Sequence, residues 1–244
     1  MLDKINRSMA LIGLTRKYFR ARQVPTPCLY YINGVSRTVR GEQALSMLID
    51  IVVDDSYGLK RYKHIDSIVD VGANIGIFAL HASTLFPKAK VLAYEPCTQS
   101  RLVMQENVAG LNVKVCPFAV GSARGKVNMN YQEDLTACYV SLDNATSASE
   151  NQECEMVSLD DIAADVSPQI SLLKLDCEGS EYEIMQTSSF KDFRYVVGEL
   201  HTCQHGDPIF GLATLKEKGF IIDKWFPFSD GKAGVFWAIN SSYK

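Results

Sequence analysis

The sequence predicts an α/β protein built on a mostly parallel, doubly wound sheet, with an antiparallel pair of strands at its C-terminal end and a helical appendage at its N-terminal end. Two observations carry that reading. From residue 65 onward, short apolar runs alternate with segments of helical spacing, the order expected of strands joined by crossover helices. One of these runs, residues 68–71, leads straight into a glycine-bearing turn and then a helix. The composition keeps the chain among ordinary globular proteins: 244 residues, 47% hydrophobic and 22% charged.

In chain order, residues 1–22 have helical character, and Pro25 and Pro27 break it within 24–27. Residues 29–39 form a small hairpin turning at Asn33-Gly34. Residues 42–53 are helical, with Ala44, Leu45, Leu48, Ile49 and Val52 as the apolar positions. Residues 1–60 are thus a helical and hairpin appendage to a main domain spanning 61–244. That domain runs strand 68–71, helix 75–85, strand 90–94, helix 100–109 and strand 113–120. Residues 126–131, 137–142 and 154–158 are short extended pieces around the polar loop 143–153, so 122–158 form an insertion or lid. Helix 159–164, strand 170–175, helix 182–186 and strand 195–200 resume the alternation. Helix 210–218, closed by Gly219, precedes two antiparallel strands at 220–226 and 234–240.

Charge is unevenly placed. Residues 1–40 hold eight basic side chains against the single acid Asp3, whereas the remainder carries 17 basic and 27 acidic groups. An acidic body argues against nucleic acid as a partner. No apolar run approaches the roughly 20 residues of a membrane span, and the N-terminus lacks a cleavage signal, so stable membrane insertion is not expected. Seven cysteines, none in a CxxC pair, fit free thiols in a reducing cytoplasm. Nothing in the sequence speaks to oligomeric state.

The strongest local signal is Ile68-Val69-Asp70-Val71-Gly72-Ala73-Asn74-Ile75-Gly76, a buried strand passing through a glycine turn into a helix. Glycine suits a backbone that passes close to a ligand, and the helix start offers unpaired N–H groups. One strand later Glu95, followed by Pro96, supplies an acceptor-only carboxylate suited to the two hydroxyls of a ribose. A dinucleotide site requires G-x-G-x-x-G; here the second glycine position is Asn74, so that fingerprint fails. Asp70, just inside the strand, suits a ligand with a cationic amine, as S-adenosylmethionine has.

At these residues the sequence resembles S-adenosylmethionine-dependent methyltransferases, more narrowly the FkbM family. The likeness extends over residues 65–222. It includes Tyr94-Glu95-Pro96, Phe118-Ala119-Val120-Gly121, Leu173-Lys174-Leu175-Asp176-Cys177-Glu178-Gly179-Ser180-Glu181 and Glu199-Leu200-His201. The resemblance implies a Rossmann-like methyltransferase fold and methyl transfer to hydroxyls of sugars, nucleotide-linked sugars or small metabolites. It also implies that Asp70, Gly72 and Asn74, with Ala73 and Gly76 in the same turn, line the methionine part of the cofactor. Glu95, beside Pro96, would hold the ribose, and Ala119 and Val120 would lie near the adenine. Asp54 and Tyr57 are assigned to helix packing ahead of a role over the cofactor.

Asp176 and Glu178 close one strand, and Glu199 and His201 the next, the edge at which open parallel sheets bind ligands. An alcohol needs a base to take its proton before it attacks a sulfonium methyl. His201, Asp176 and Glu178 are the candidates. Glu181 is either part of this group or a helix-end acid. A metal is the weaker reading. Glu199, His201, Cys203 and His205 alternate on one strand face, but i to i+6 spans about 20 Å, too far for one ion. That leaves a divalent ion on the acids as the alternative to a metal-free site. Two other functions compete: a nicotinamide-dependent oxidoreductase on a similar fold, and a non-catalytic S-adenosylmethionine-binding protein.

Overall fold

A computed structural model describes residues 27–131, 138–141, 152–164, 166 and 171–243. The expected helix at 1–22, the break at 24–26 and most of the loop 143–153 lie outside these residues.

The chain enters through a hairpin of β1 (Cys28–Ile32) and β2 (Val35–Val39). Its turn is at Asn33 (φ 47°) and Gly34 (φ 85°), the left-handed pair that a two-residue hairpin loop requires. The Asn33 amide also donates to Thr84 Oγ1 at 2.7 Å, tying the hairpin to the body. Helix α1 (Ala44–Met47) then widens without a break into a π-helical stretch, Leu48–Val53. The expected regular α-helix over 42–53 is therefore corrected. π-Turns concentrate at functional sites, and this one brings Asp50 and Ile51 to the main cavity.

Next come β3 (Ser67–Val71), α2 (Ile77–Leu85), β4 (Lys90–Tyr94), α3 (Thr98–Asn107) and β5 (Val113–Cys116). Helix α2 starts at Ile77 rather than 75 because Asn74 and Gly76 are left-handed (φ 49° and 83°). The expected single strand 113–120 divides at Pro117, which has no N–H for a ladder. Beyond it the chain joins a second sheet of β6 (Ala119–Gly121), β7 (Gly125–Tyr131), β8 (Cys138–Ser141) and β9 (Gln152–Ser158). The order is β6-β9-β7-β8, with only β6 and β9 parallel. The extended pieces of 122–158 are thus strands of this sheet.

Helix α4 (Leu159–Ala163) opens on a reciprocal cap between Ser158 and Asp161. It is followed by β10 (Ser171–Leu175), α5 (Glu181–Ile184), β11 (Tyr195–His201), α6 (Pro208–Glu217), β12 (Phe220–Pro227) and β13 (Ala233–Asn240). Asp207 caps α6 by accepting from the Phe210 N–H, and Pro208 occupies the first turn, where its missing N–H costs nothing.

The main sheet runs β12-β13-β11-β10-β3-β4-β5. The five strands from β11 to β5 are parallel, and β13 and β12 close that edge antiparallel. Every residue of β3 and β10 is buried, as in central parallel strands covered on both faces, including the facing pair Asp70 and Lys174. Sequence order reverses between β3 and β10, and the carboxyl ends there open the crevice in which such sheets bind ligands. Alternation along the two strands sends Val69, Val71, Leu173 and Leu175 into one core. Ile68 and Leu172 enter the other, shared with Ile32, Leu48 and Leu59. Residues 28–59 are therefore built into the core of the sheet domain.

Candidate active site

The site starts at the end of β3. Gly72 has φ 75°, and a Cβ there would lie 1.8 Å from the Asp176 carbonyl oxygen, so the two strand ends touch through backbone alone. The Gly72 and Ala73 N–H groups donate to the Tyr94 carbonyl at 3.1 and 3.0 Å, which ties the turn to β4. Next to it Glu95 is 6% exposed and accepts from the Asn74 N–H at 2.8 Å and the Cys97 N–H at 2.7 Å. Burial pushes its carboxyl up to about 7, against the opposing pull of those two N–H groups. A cavity of about 310 Å³ opens on this turn. Gly72, Ala73, Asn74, Glu95, Pro96, Ala119 and Val120 line one part of it. These are the residues expected to hold a nucleoside and its amino-acid tail.

The other part of the cavity is acidic. Asp176, Glu178 and Glu199 line it, with Asp50 and Tyr57 from the segment before β3. The Tyr57 hydroxyl donates to Asp176 Oδ2 at 2.9 Å and to Glu199 Oε1 at 3.3 Å, bridging the ends of β10 and β11. Burial first, and these acids second, push the phenol well up, so it remains a donor. Lys174 sits opposite Asp70 in the β3–β10 ladder, with Nζ 3.2 Å from Asp70 Oδ1 and 3.4 Å from Asp176 Oδ2. Burial pulls its basicity down; Asp70 and Asp176 outweigh that and hold the ammonium. Glu178 is a non-glycine residue at φ 57°, an unfavourable backbone held at the cavity rim. Burial raises its carboxyl, His201 opposes the shift, and the neighbouring acids add to it.

Three expectations are corrected. Asp70 does not reach the cavity: it is fully buried, and its cationic partner is Lys174, not a ligand amine. Gly76 is also away from the cavity; it caps α2, and a Cβ there would strike the Met104 side chain at 2.6 Å. His201 does not line the cavity, and three acids face its ring. Its Nδ1 lies 3.2 Å from Glu181 Oε1, and its Nε2 lies 3.5 Å from Glu199 and 3.7 Å from Glu178. Burial pulls its basicity down, but Glu181, Glu199 and Glu178 outweigh burial and push the ring up to about 11. An imidazolium has no lone pair with which to take a proton.

Glu181 is fully buried and accepts from the Cys177 and Gly179 N–H groups at 3.0 and 2.8 Å, so it fixes both the turn after β10 and the His201 ring. Cys203 and His205 leave the row of alternating residues, since β11 ends at His201. The Cys203 thiol donates to the Gly179 carbonyl, and His205 lies 3.7 Å from Glu183. Lys174 and Asp50 are site residues to which the sequence assigns no role, and Tyr57, assigned to helix packing, lines the cavity instead. Tyr57 reaches partners 119 and 142 positions away, which no local pattern reveals. Lys174 does carry a signal: a lysine inside an otherwise apolar strand demands a buried acid, and Asp70 in β3 is one.

The model of the FkbM methyltransferase domain matches residues 70–222, from the second half of β3 into β12. The chain belongs to the FkbM methyltransferase family. Among its relatives is methyltransferase sdnD of Sordaria araneosa, 27% identical over 171 residues, which are 56% of this chain and 66% of that protein. Methyltransferase 1 of Beauveria bassiana (strain ARSEF 2860) is 28% identical over 198 residues, 71% of this chain and 79% of that one. Among solved structures, Aeropyrum pernix fibrillarin with natively bound S-adenosyl-L-methionine aligns at a TM-score of 0.47 and 12% identity, covering 76% of this chain and 73% of that chain. So loose a structural likeness adds nothing to the assignment, which rests on the family match. For this FkbM methyltransferase the cofactor is S-adenosylmethionine, and the nicotinamide-dependent reading is set aside. No helix among the described residues is long and apolar enough to cross a membrane.

Proposed function

We propose that this FkbM methyltransferase transfers a methyl group to a hydroxyl oxygen of a sugar, a nucleotide-linked sugar or a small metabolite, with Glu178 as the general base. The observation that carries the proposal is the position of Glu178. It is a half-buried carboxylate on the cavity wall, fixed at a strained backbone angle and raised in basicity by burial. Asp176 is a weaker candidate because the Tyr57 hydroxyl and the Lys174 ammonium already engage its Oδ2.

S-adenosylmethionine, when bound, supplies an electrophilic methyl on a sulfonium sulfur. Glu95, Asn74 and the bare Gly72 turn hold its nucleoside and amino-acid parts. Glu178 takes the proton of the acceptor hydroxyl as the new carbon–oxygen bond forms and the carbon–sulfur bond breaks. Tyr57 and Lys174 keep Asp176 fixed, so that its carboxylate orients a neighbouring acceptor hydroxyl. Holding both reactants in line removes a large entropic part of the barrier, of order 7–11 kcal/mol at best. Cys28, Cys97, Cys116, Cys154, Cys177 and Cys203 are free thiols, which suits the reducing cytoplasm in which we place the enzyme.

The test is transfer of isotope-labelled methyl to a panel of neutral sugars, nucleotide-linked sugars, small alcohols and amines. The proposal expects label in a chemically stable ether. Label confined to amines overturns O-methyl transfer, and cofactor binding without any transfer supports a non-catalytic binding protein instead.

A further inference from the structure

We propose that Asp176, Glu199 and His201 form a binding site for one divalent cation of the magnesium or manganese class, beside the acceptor part of the cavity. One ligand atom from each of the three lies within 4.8 Å of the others, close enough to surround a single ion. They come from two neighbouring strands, Asp176 just beyond β10 and Glu199 with His201 at the end of β11. The strand-spacing objection to a metal applies to four ligands taken from one strand. Here the third ligand comes from the next strand, so the distance along β11 no longer matters.

A second, independent observation is how the histidine is held. Metal-binding imidazoles present one nitrogen to the ion and give the other N–H to a carboxylate that fixes the ring. His201 has that arrangement. Nδ1 faces Glu181 Oε1 at 3.2 Å, and Glu181 is itself fully buried and pinned by two backbone N–H groups. Nε2 faces Glu199 Oε2 at 3.5 Å, towards the proposed ion.

Charge points the same way. Lys174 is shared between Asp70 at 3.2 Å and Asp176 at 3.4 Å, and Glu178, Glu181 and Glu199 surround the single positive charge of His201. A divalent ion brings two positive charges; it displaces the Nε2 proton, which leaves to solvent. Two carboxylate oxygens suit Mn²⁺ or Mg²⁺, not an ion that favours thiolates, and the imidazole nitrogen favours Mn²⁺ over Mg²⁺. The proposal stands on the residues of the pocket and holds whichever acceptor the enzyme uses.

The experiment is titration of the full-length protein with Mn²⁺, followed by the electron paramagnetic resonance signal of the free ion. Calorimetry with S-adenosylmethionine on the same samples shows that the cavity is intact. The expected result is one Mn²⁺ per chain, displaced by excess Mg²⁺. Glu199→Gln and His201→Gln should each weaken it at least about tenfold, with cofactor affinity retained. No Mn²⁺ binding at millimolar concentration by wild-type protein that binds the cofactor overturns the proposal. So does binding that neither variant weakens, which places the ion on surface acids. Should either variant lose cofactor binding, the other carries the comparison. Should both lose it, protection of the wild-type His201 ring resonances from broadening by Mn²⁺ overturns the site, and their selective broadening upholds it.

Discussion

Glu95 is a buried carboxylate just beyond β4 and Glu178 a half-buried one beyond β10, and their surroundings differ. Glu95 receives two backbone N–H groups and is held in place as an acceptor. Glu95→Ala should weaken cofactor binding about 10–100-fold by calorimetry, the loss of charge-assisted hydrogen bonds worth roughly 1.5–3 kcal/mol. Burial pushes the same carboxyl up to about 7. Its ionised form is the better acceptor for ribose hydroxyls, so affinity should rise through neutral pH and fall below it; a flat profile from pH 6 to pH 8 contradicts the ribose role. Glu178 has the opposite need. Only its ionised form takes a proton, and burial raises its carboxyl. Turnover should therefore be lost as pH falls through a point above the ordinary carboxylate range. The glycine turn and Glu95 were legible in the sequence because strand, turn and acid follow at fixed spacing. The surroundings of His201 were not, since its three acids converge only in the folded chain.

At the scale of elements, the parallel core was readable because β3, β4 and β10 are short apolar runs buried on both faces. The second sheet was not. Its strands are short and separated by polar stretches, and β6 follows β5 after only two residues, so one continuous apolar run hides two strands in different sheets. The π-helical widening after α1 also leaves no pattern, because Ala44, Leu45, Leu48 and Ile49 fit a regular helix equally well. Element ends can be tested singly. The cap at Ser158 satisfies the Asp161 N–H and is in turn contacted by the Asp161 carboxylate. Ser158→Ala should cost about 1 kcal/mol in urea unfolding. Unchanged stability would mean that α4 does not depend on this cap. Gly72→Ala is far more severe, since its Cβ would meet backbone at 1.8 Å and Gly72 is left-handed. It should abolish cofactor binding and lower the melting temperature together.

Over the whole molecule, residues 28–59 are part of the catalytic body. The sequence reads them as an appendage because their helix and hairpin patterns differ from the alternation that follows. The fold makes them one wall of the cavity, through Asp50 and Tyr57, and part of the core beneath the sheet. Leu48 is completely buried in that shared core. Leu48→Ala should cost about 2–5 kcal/mol and lower one cooperative unfolding transition. Two separate transitions, only one of them shifted, would contradict a shared core. The proposed function divides the cavity, with chemistry on its acidic side and the cofactor at the glycine turn beside it. Glu178→Gln tests that division most directly, in a single-turnover measurement of methyl transfer alongside cofactor calorimetry. The account predicts a loss of about 10²–10⁴-fold in the transfer rate with cofactor affinity nearly unchanged. Transfer at the wild-type rate by this variant would contradict it and return the base to another residue.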